Sequence, residues 1–262
     1  MANLLKFNRS IFLDSSNIKE VKKWNSLGII DGVTTNQTIM LKDGVKLKDV
    51  SSTIETICKI MAGKPVSVEL TDSTATTEQM IHDAKAYREI ADNVVVKVPM
   101  IPSQTKSLEV IKKLLDLEIP VNVTVMMTFE QLVMAALATR NHPFPSFISL
   151  FWCRSIEDHE RYRTNEEFIK DHPLLGLESD INSHPAKITS AIIEFLNKGG
   201  YDNPKLIIGS IRKASEVGEC FDAGAHIATV PPLLLQEMLY SKRTEETNID
   251  LDKSWLTLKS QA

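Results

Sequence analysis

The chain has 262 residues, 43% of them hydrophobic, and 30 basic against 34 acidic residues give a net charge of −4 and a pI of about 5.9. That is enough apolar material for one sizeable core, and the absence of a basic stripe argues against nucleic acid as the partner. No apolar run approaches the ~20 residues of a membrane-spanning helix, the opening MANLLKFNRS holds no apolar core of signal-peptide length, and three scattered cysteines, Cys58, Cys153 and Cys220, suit a reducing cytoplasm and no disulfide framework.

Short β-type runs alternate with amphipathic helical stretches. Residues 11–14 (IFLD) read as a first strand, and Ser15 or Ser16 caps a helix to about Leu27. A second strand covers 32–36 (GVTTN), with a helix over 47–61. A third covers 65–70 (PVSVEL), with a helix over 76–90. The fourth lies in 93–100 (NVVVKVPM), followed by a helix over 104–117. The fifth is 121–125 (VNVTV), with a helix over 129–139, and the sixth is 147–152 (FISLFW). After an interruption come a helix over 187–197, a seventh strand at 206–211 (LIIGSI), a helix over 214–223, an eighth strand at 227–230 and a helix over 233–240.

Eight strands with helical crossovers predict an α/β fold, a single parallel (β/α)8 TIM barrel. The open doubly wound sheet is the other arrangement of such units, but its phosphate fingerprints, G-x-G-x-x-G and G-x-x-x-x-G-K-[ST], are missing. The barrel occupies residues 1–240. Residues 241–262, with Leu251, Trp255, Leu256 and Leu258, form a C-terminal helical tail that docks either on its own barrel or on a neighbouring subunit of a homo-oligomer.

Within the fourth strand, Lys97 interrupts Val94, Val95, Val96 and Val98. A strand buried on both faces rarely holds a charge. A free lysine titrates near ~10.4, and burial pushes that value down toward an amine able to form a Schiff base. The alternative is a lysine that snorkels or pairs with a buried acid. Polar residues stand near the carboxyl ends of most other strands: Asp14, Asn36, Glu69, Asn122 with Thr124, Ser149, and Ser210 with Arg212. Spacing by two puts Asn122 and Thr124 on one face, and likewise Ser210 and Arg212. Together they build one wet site at a barrel mouth. Asp14 and Glu69 can act as acid and base, and Thr124 can hold a water. The histidines, among them His142, His172, His184 and His226, have no ligand spacing, so no metal site is read and no cofactor is called for.

The stretches FLDSSNIKEVKKWNSLGIIDGVTTN, PVSVEL, NVVVKVPM, VNVTV, SLFWCR, IIGSIR and AGAHIATVP resemble the transaldolase family with its fructose 6-phosphate aldolase-like members. The resemblance implies a metal-free, Schiff-base enzyme acting on a sugar phosphate donor and an aldehyde acceptor. It implies Lys97 as the Schiff-base lysine, Asp14 as the group that handles the sugar hydroxyl proton, and Glu69 with Thr124 as holders of the catalytic water. It also implies Asn36 and Asn122 as substrate contacts, and Arg154, Ser210 and Arg212 as the binders of the substrate phosphate. Aldolases of the family tend to carry glutamine and tyrosine where this chain has Glu69 and Phe151, whereas transaldolases carry glutamate and phenylalanine. Transfer of a dihydroxyacetone unit is therefore expected over plain cleavage.

The chain departs from the family pattern at Gln37, where TTNP becomes TTNQ, and across Ser149 to Arg154, where two prolines are lost and Trp152 is gained. Trp152 is expected at the pocket rim. These changes leave open a donor with another anionic group, beside the aldolase reading and a non-catalytic barrel scaffold. Residues 155–184 are highly charged and read either as a solvated helix and loop or as a lid with a second anion contact.

Overall fold

The computed structural model describes residues 7–102, 104–144, 146–171 and 181–261. Eight parallel strands close into a barrel in sequence order. They are β1 (Ser10–Asp14), β2 (Gly32–Thr34), β3 (Val66–Glu69), β4 (Val94–Pro99), β5 (Val121–Met126), β6 (Ser146–Phe151), β7 (Pro204–Gly209) and β8 (Ile227–Val230). Between and after them run α1 (Ile18–Ser26), α2 (Gln37–Lys42), α3 (Val50–Met61), α4 (Thr77–Ile90), α5 (Lys106–Asp116) and α6 (Phe129–Thr139). They continue with α7 (Trp152–Thr164), α8 (Glu166–Asp171), α9 (Pro185–Gly199), α10 (Ala214–Asp222), α11 (Pro232–Glu237) and α12 (Lys242–Ser260).

The strands are short and rich in Val and Ile because both faces are covered. Their outer faces pack with Val21, Ile54, Ile57, Met80, Ile111, Leu114, Ile188 and Ile192 of the helices into one continuous core. The inner face has its own small cluster. Phe7, Phe12, Val95, Phe147, Ile207 and Ile227 fill the barrel's lower end. The rings of Phe7, Phe12 and Phe147 meet edge to face with centroids 5.4 to 5.7 Å apart, each pair adding about 0.5–1.5 kcal/mol beyond its buried area. Gly32 lies against this cluster: a Cβ there would sit 2.6 Å from the Phe12 ring.

Several local expectations change. Ser15 and Ser16 do not cap α1; Asn17 does, accepting from the amides of Lys19 and Glu20. The two serines instead turn to Asp43, whose Oδ2 accepts from Ser15 Oγ, Ser16 N and Ser16 Oγ. The second strand stops at Thr34, because Asn36 leaves it to cap α2 through Oδ1 to Ile39 N at 2.8 Å. That helix is too short to show a period, so the sequence pattern does not announce it. The seventh strand ends at Gly209 rather than 211, since Ser210 turns to a φ of 60°. Trp152 opens α7 with no exposed surface, its ring 6.0 Å from that of His184, so it packs outside the barrel and does not form the rim.

Candidate active site

Side chains two apart on a strand share a face. The apolar floor therefore dictates which residues face inward above it. Asp14 follows Phe12, Lys97 follows Val95, Ser149 follows Phe147, and Thr229 follows Ile227, each by two positions toward the carboxyl end. Thr34 stands in the same relation to Gly32 and Glu69 to Ser67.

Lys97 is buried, with 5% of its surface exposed. Its Nζ is 2.9 Å from Glu69 Oε2 and donates to Thr35 O at 3.2 Å. Lys97 thus pairs with an acid, Glu69, whose side chain keeps 11% of its surface exposed, and the acid is itself one of the expected site residues. Glu69 sits directly opposite Lys97 on β3, and Asn122 opposite it on β5. Among the described residues, Glu69 Oε2 has no aligned hydrogen bond despite the close ion pair, and the buried Thr124 Oγ1 has no hydrogen-bond partner.

Asn122 bridges two strands, donating through Nδ2 to Ser67 Oγ at 3.2 Å and accepting on Oδ1 from Ser149 Oγ at 2.7 Å. Both contacts are buried, so they fix the amide's orientation. Thr124 occupies a bulge: Val123 pairs with Ile148 and Met126 with Leu150, which leaves Thr124 and Val125 opposite Ser149 alone. Val125 takes a φ of 60° there. A β-branched residue in the left-handed region is unusual, and such bulges commonly re-aim a side chain beside a site.

Asp14 Oδ1 accepts from Thr34 Oγ1 at 2.7 Å, and Thr34 Oγ1 lies 2.5 Å from Thr229 Oγ1. With its own proton given to Asp14, Thr34 receives one from Thr229. Burial holds the Asp14 carboxyl above the ordinary aspartate range, while Lys97 and the Thr34 hydroxyl pull the other way. The expected site residues do not include Thr34 and Thr229, although both share the inward face of their strands.

The remaining expected residues lie above this centre. Phe151 ends β6, half-buried. Arg154 lies exposed in the first turn of α7. Ser210 follows β7 and is half-buried. Arg212 is half-exposed and ion-paired with Glu157 of α7. An anion that binds Arg212 therefore displaces or shares it with that carboxylate. The Glu157 contact places part of segment 155–184 at the mouth, on α7; residues 172–180, with His172, lie outside the described residues. Gln37 donates to Leu70 O at 2.9 Å, tying α2 to the end of β3. His142 is buried, His184 caps α9, and His226 accepts from Leu206 N ahead of β8, pushed down to about 4 by burial and by Lys205. Among the described residues no three His, Cys, Asp or Glu side chains gather as a metal site, and no helix is long and apolar enough to cross a membrane.

Residues 11–262 match the family described as Transaldolase/Fructose-6-phosphate aldolase. A probable transaldolase of Streptococcus equi subsp. zooepidemicus is 32% identical over 248 residues, which is 95% of this chain and 98% of that one. A probable transaldolase of Nitrosopumilus maritimus is 29% identical over 96% of both chains. Among solved structures, the dihydrodipicolinate synthase of Rhodopseudomonas palustris superposes with a TM-score of 0.56 at 11% identity, covering 97% of this chain and 82% of that one. That likeness is one of fold.

Proposed function

The chain belongs to the transaldolase/fructose-6-phosphate aldolase family, and we propose that it transfers a dihydroxyacetone unit from a phosphorylated ketose to an aldehyde acceptor through a Schiff base on Lys97. The observation that carries this reading is the pairing of the buried Lys97 with Glu69, 2.9 Å apart above an apolar floor. Glu69 can take a proton from the Lys97 ammonium. The freed amine attacks the ketose carbonyl, an amine proton passes to the carbonyl oxygen to give a hydroxyl, and the proton held by Glu69 lets that hydroxyl leave as water, giving an iminium. Thr124 Oγ1, which has no hydrogen-bond partner among the described residues, and Glu69 Oε2, which meets Lys97 only as an ion pair, are suited to hold that water. Asp14 then takes the proton of the hydroxyl beyond the bond that breaks. The bond's electrons pass to the iminium, an enamine remains on Lys97, and an aldehyde departs. Addition of the enamine to a second aldehyde reverses these steps.

Asn36, Asn122 and Ser149 contact the donor in this reading, and Arg154, Ser210 and Arg212 bind its phosphate. A guanidinium suits that task because it stays charged and can grip two oxygens. Phe151 has no hydroxyl with which to protonate the enamine, which favours transfer over cleavage. The test is incubation with a ketose phosphate alone, then with an acceptor aldehyde. The expected result is product only after the acceptor is added. Free dihydroxyacetone released at the transfer rate without acceptor identifies an aldolase instead, and Phe151→Tyr moves the balance that way.

We also propose residues 1–240 as the barrel unit and residues 241–262 as a tail used between subunits. None of the residues of α12 is buried, and Leu251, Trp255, Leu256 and Leu258 are all more than half exposed. That exposed apolar surface supports docking on a neighbouring subunit over docking on its own barrel.

A further inference from the structure

Glu216, in the first turn of α10, is an acid with 5% of its surface exposed and lies outside the chemistry above. It is not an isolated cap. Its Oε2 accepts from the backbone N–H of Arg212 at 2.8 Å and of Lys213 at 3.0 Å. The Cys153 thiol donates to the same carboxylate, with Sγ 3.2 Å from Oε2 and 3.4 Å from Oε1. Cys153 immediately precedes Arg154, and its own N–H donates to Ser210 O at 3.3 Å. One buried carboxylate thus ties the turn after β7, which carries Ser210 and Arg212, to the start of α7, which carries Arg154.

We infer that Glu216 is the positioning residue of the anion site, holding the backbones of its two arginines at a fixed separation through Arg212 N–H and the Cys153 thiol; the inference rests on the phosphate-binding role proposed for Arg154, Ser210 and Arg212. A plain helix cap needs only the amide of Lys213. The added bonds reach across to a second strand end, and a thiol donor is the element a simple cap does not explain. The turn also needs such a hold. Ser210 sits at a φ of 60°, a conformation L-residues adopt reluctantly, and it persists only where surrounding contacts fix it. Both arginine side chains are exposed or half-exposed, so their aim depends on the backbone that bears them. The groups that meet the carboxylate are all donors, two backbone N–H groups and one thiol. Burial first, and then the hydrogen bond and charge of Glu216, push the Cys153 thiol up to about 11, so it stays a donor at neutral pH.

Binding of inorganic phosphate to the full chain, measured by titration calorimetry, tests this with Glu216→Gln, Cys153→Ala and Arg212→Ala. Glutamine offers one acceptor oxygen and turns an N–H₂ toward donors, so phosphate affinity is expected to fall roughly tenfold, the scale of one charge-assisted hydrogen bond. Cys153→Ala is expected to lose less, in the same direction. In turnover, kcat/KM for a phosphorylated donor should drop more than for its unphosphorylated counterpart, a split that mere loss of stability does not produce. If Arg212→Ala loses affinity while Glu216→Gln and Cys153→Ala bind phosphate like the parent, the positioning role is wrong and the anion site stands. If Arg212→Ala itself binds like the parent, the anion-site reading fails and this inference with it. Should Glu216→Gln not fold, Cys153→Ala alone decides: weakened binding supports the role, and unchanged binding overturns it.

Discussion

Glu69 and Lys97 stand directly opposite each other on β3 and β4, and their charged ends meet 2.9 Å apart in the barrel interior. Two opposite charges at the same height on adjacent strands can exchange a proton without any movement of the backbone. Removing either partner leaves the other buried without its counter-charge.

Lys97→Ala should therefore abolish the borohydride-reducible adduct with a ketose and also destabilise the fold by roughly 3 kcal/mol, at the lower end for a broken buried pair. A domain with the usual ~5–15 kcal/mol survives that loss. Mass spectrometry of the trapped protein and denaturant unfolding check the two halves. An adduct on a different lysine in the parent protein would overturn the assignment.

Asp14 gives a pH signature. Its carboxyl titrates above the ordinary aspartate value, with burial as the main cause. The native state therefore binds its proton more tightly than the unfolded chain, so this group's contribution to stability falls as pH rises from about 3.9 through the raised native value. Asp14→Asn removes that loss. The melting temperature of Asp14→Asn relative to the parent should rise with pH across this window, and a flat or falling difference would contradict it. Thr34→Val removes a hydrogen bond that favours the carboxylate, so it should move the acid limb of the rate profile to higher pH.

Gly32 should tolerate no side chain. An added Cβ lies within 2.8 Å of three Phe12 ring atoms. Since Phe12 is wedged between Phe7 and Phe147, it has nowhere to go. Gly32→Ala should cost about 1–3 kcal/mol of overpacking. Gly28, where an added Cβ would meet nothing within 4 Å, is the control for bulk, although its φ of 70° still favours glycine. Thermal unfolding of both variants separates crowding from backbone strain.

The tail should matter to assembly and not to the barrel. Deleting residues 250–262 removes the exposed Leu251, Trp255, Leu256 and Leu258 and should lower the sedimentation coefficient while leaving the unfolding transition of the barrel in place. A full-length chain that already sediments as a monomer would count against it.

Much of this molecule is legible in its order of residues. Runs such as VVVKVP and FISLFW read as strands covered on both faces, because so many β-branched and aromatic side chains need two apolar surfaces. Eight of them with helical crossovers leave the closed barrel as the natural solution. Strand alternation then places Asp14, Glu69, Lys97, Asn122 and Ser149 inward, since a period of two is a local property of the backbone.

What the sequence could not decide lies where local periodicity stops. Asp43 holds Ser15 and Ser16 across 28 and 27 positions, Thr229 reaches Thr34 across 195, and Glu216 reaches Cys153 across 63. No pattern along the chain marks such pairs, because closing the barrel brings β8 beside β1 and sets the strand ends side by side. The bulge at Val125 and the turn at Ser210 are likewise tertiary decisions: both residues adopt a φ of 60° that their own side chains disfavour. Composition and spacing thus determined a barrel with a lysine in its wall. Only closure of the sheet decided which carboxylate faces that lysine, which hydroxyls hold Asp14, and which buried acid joins the two arginine-bearing turns.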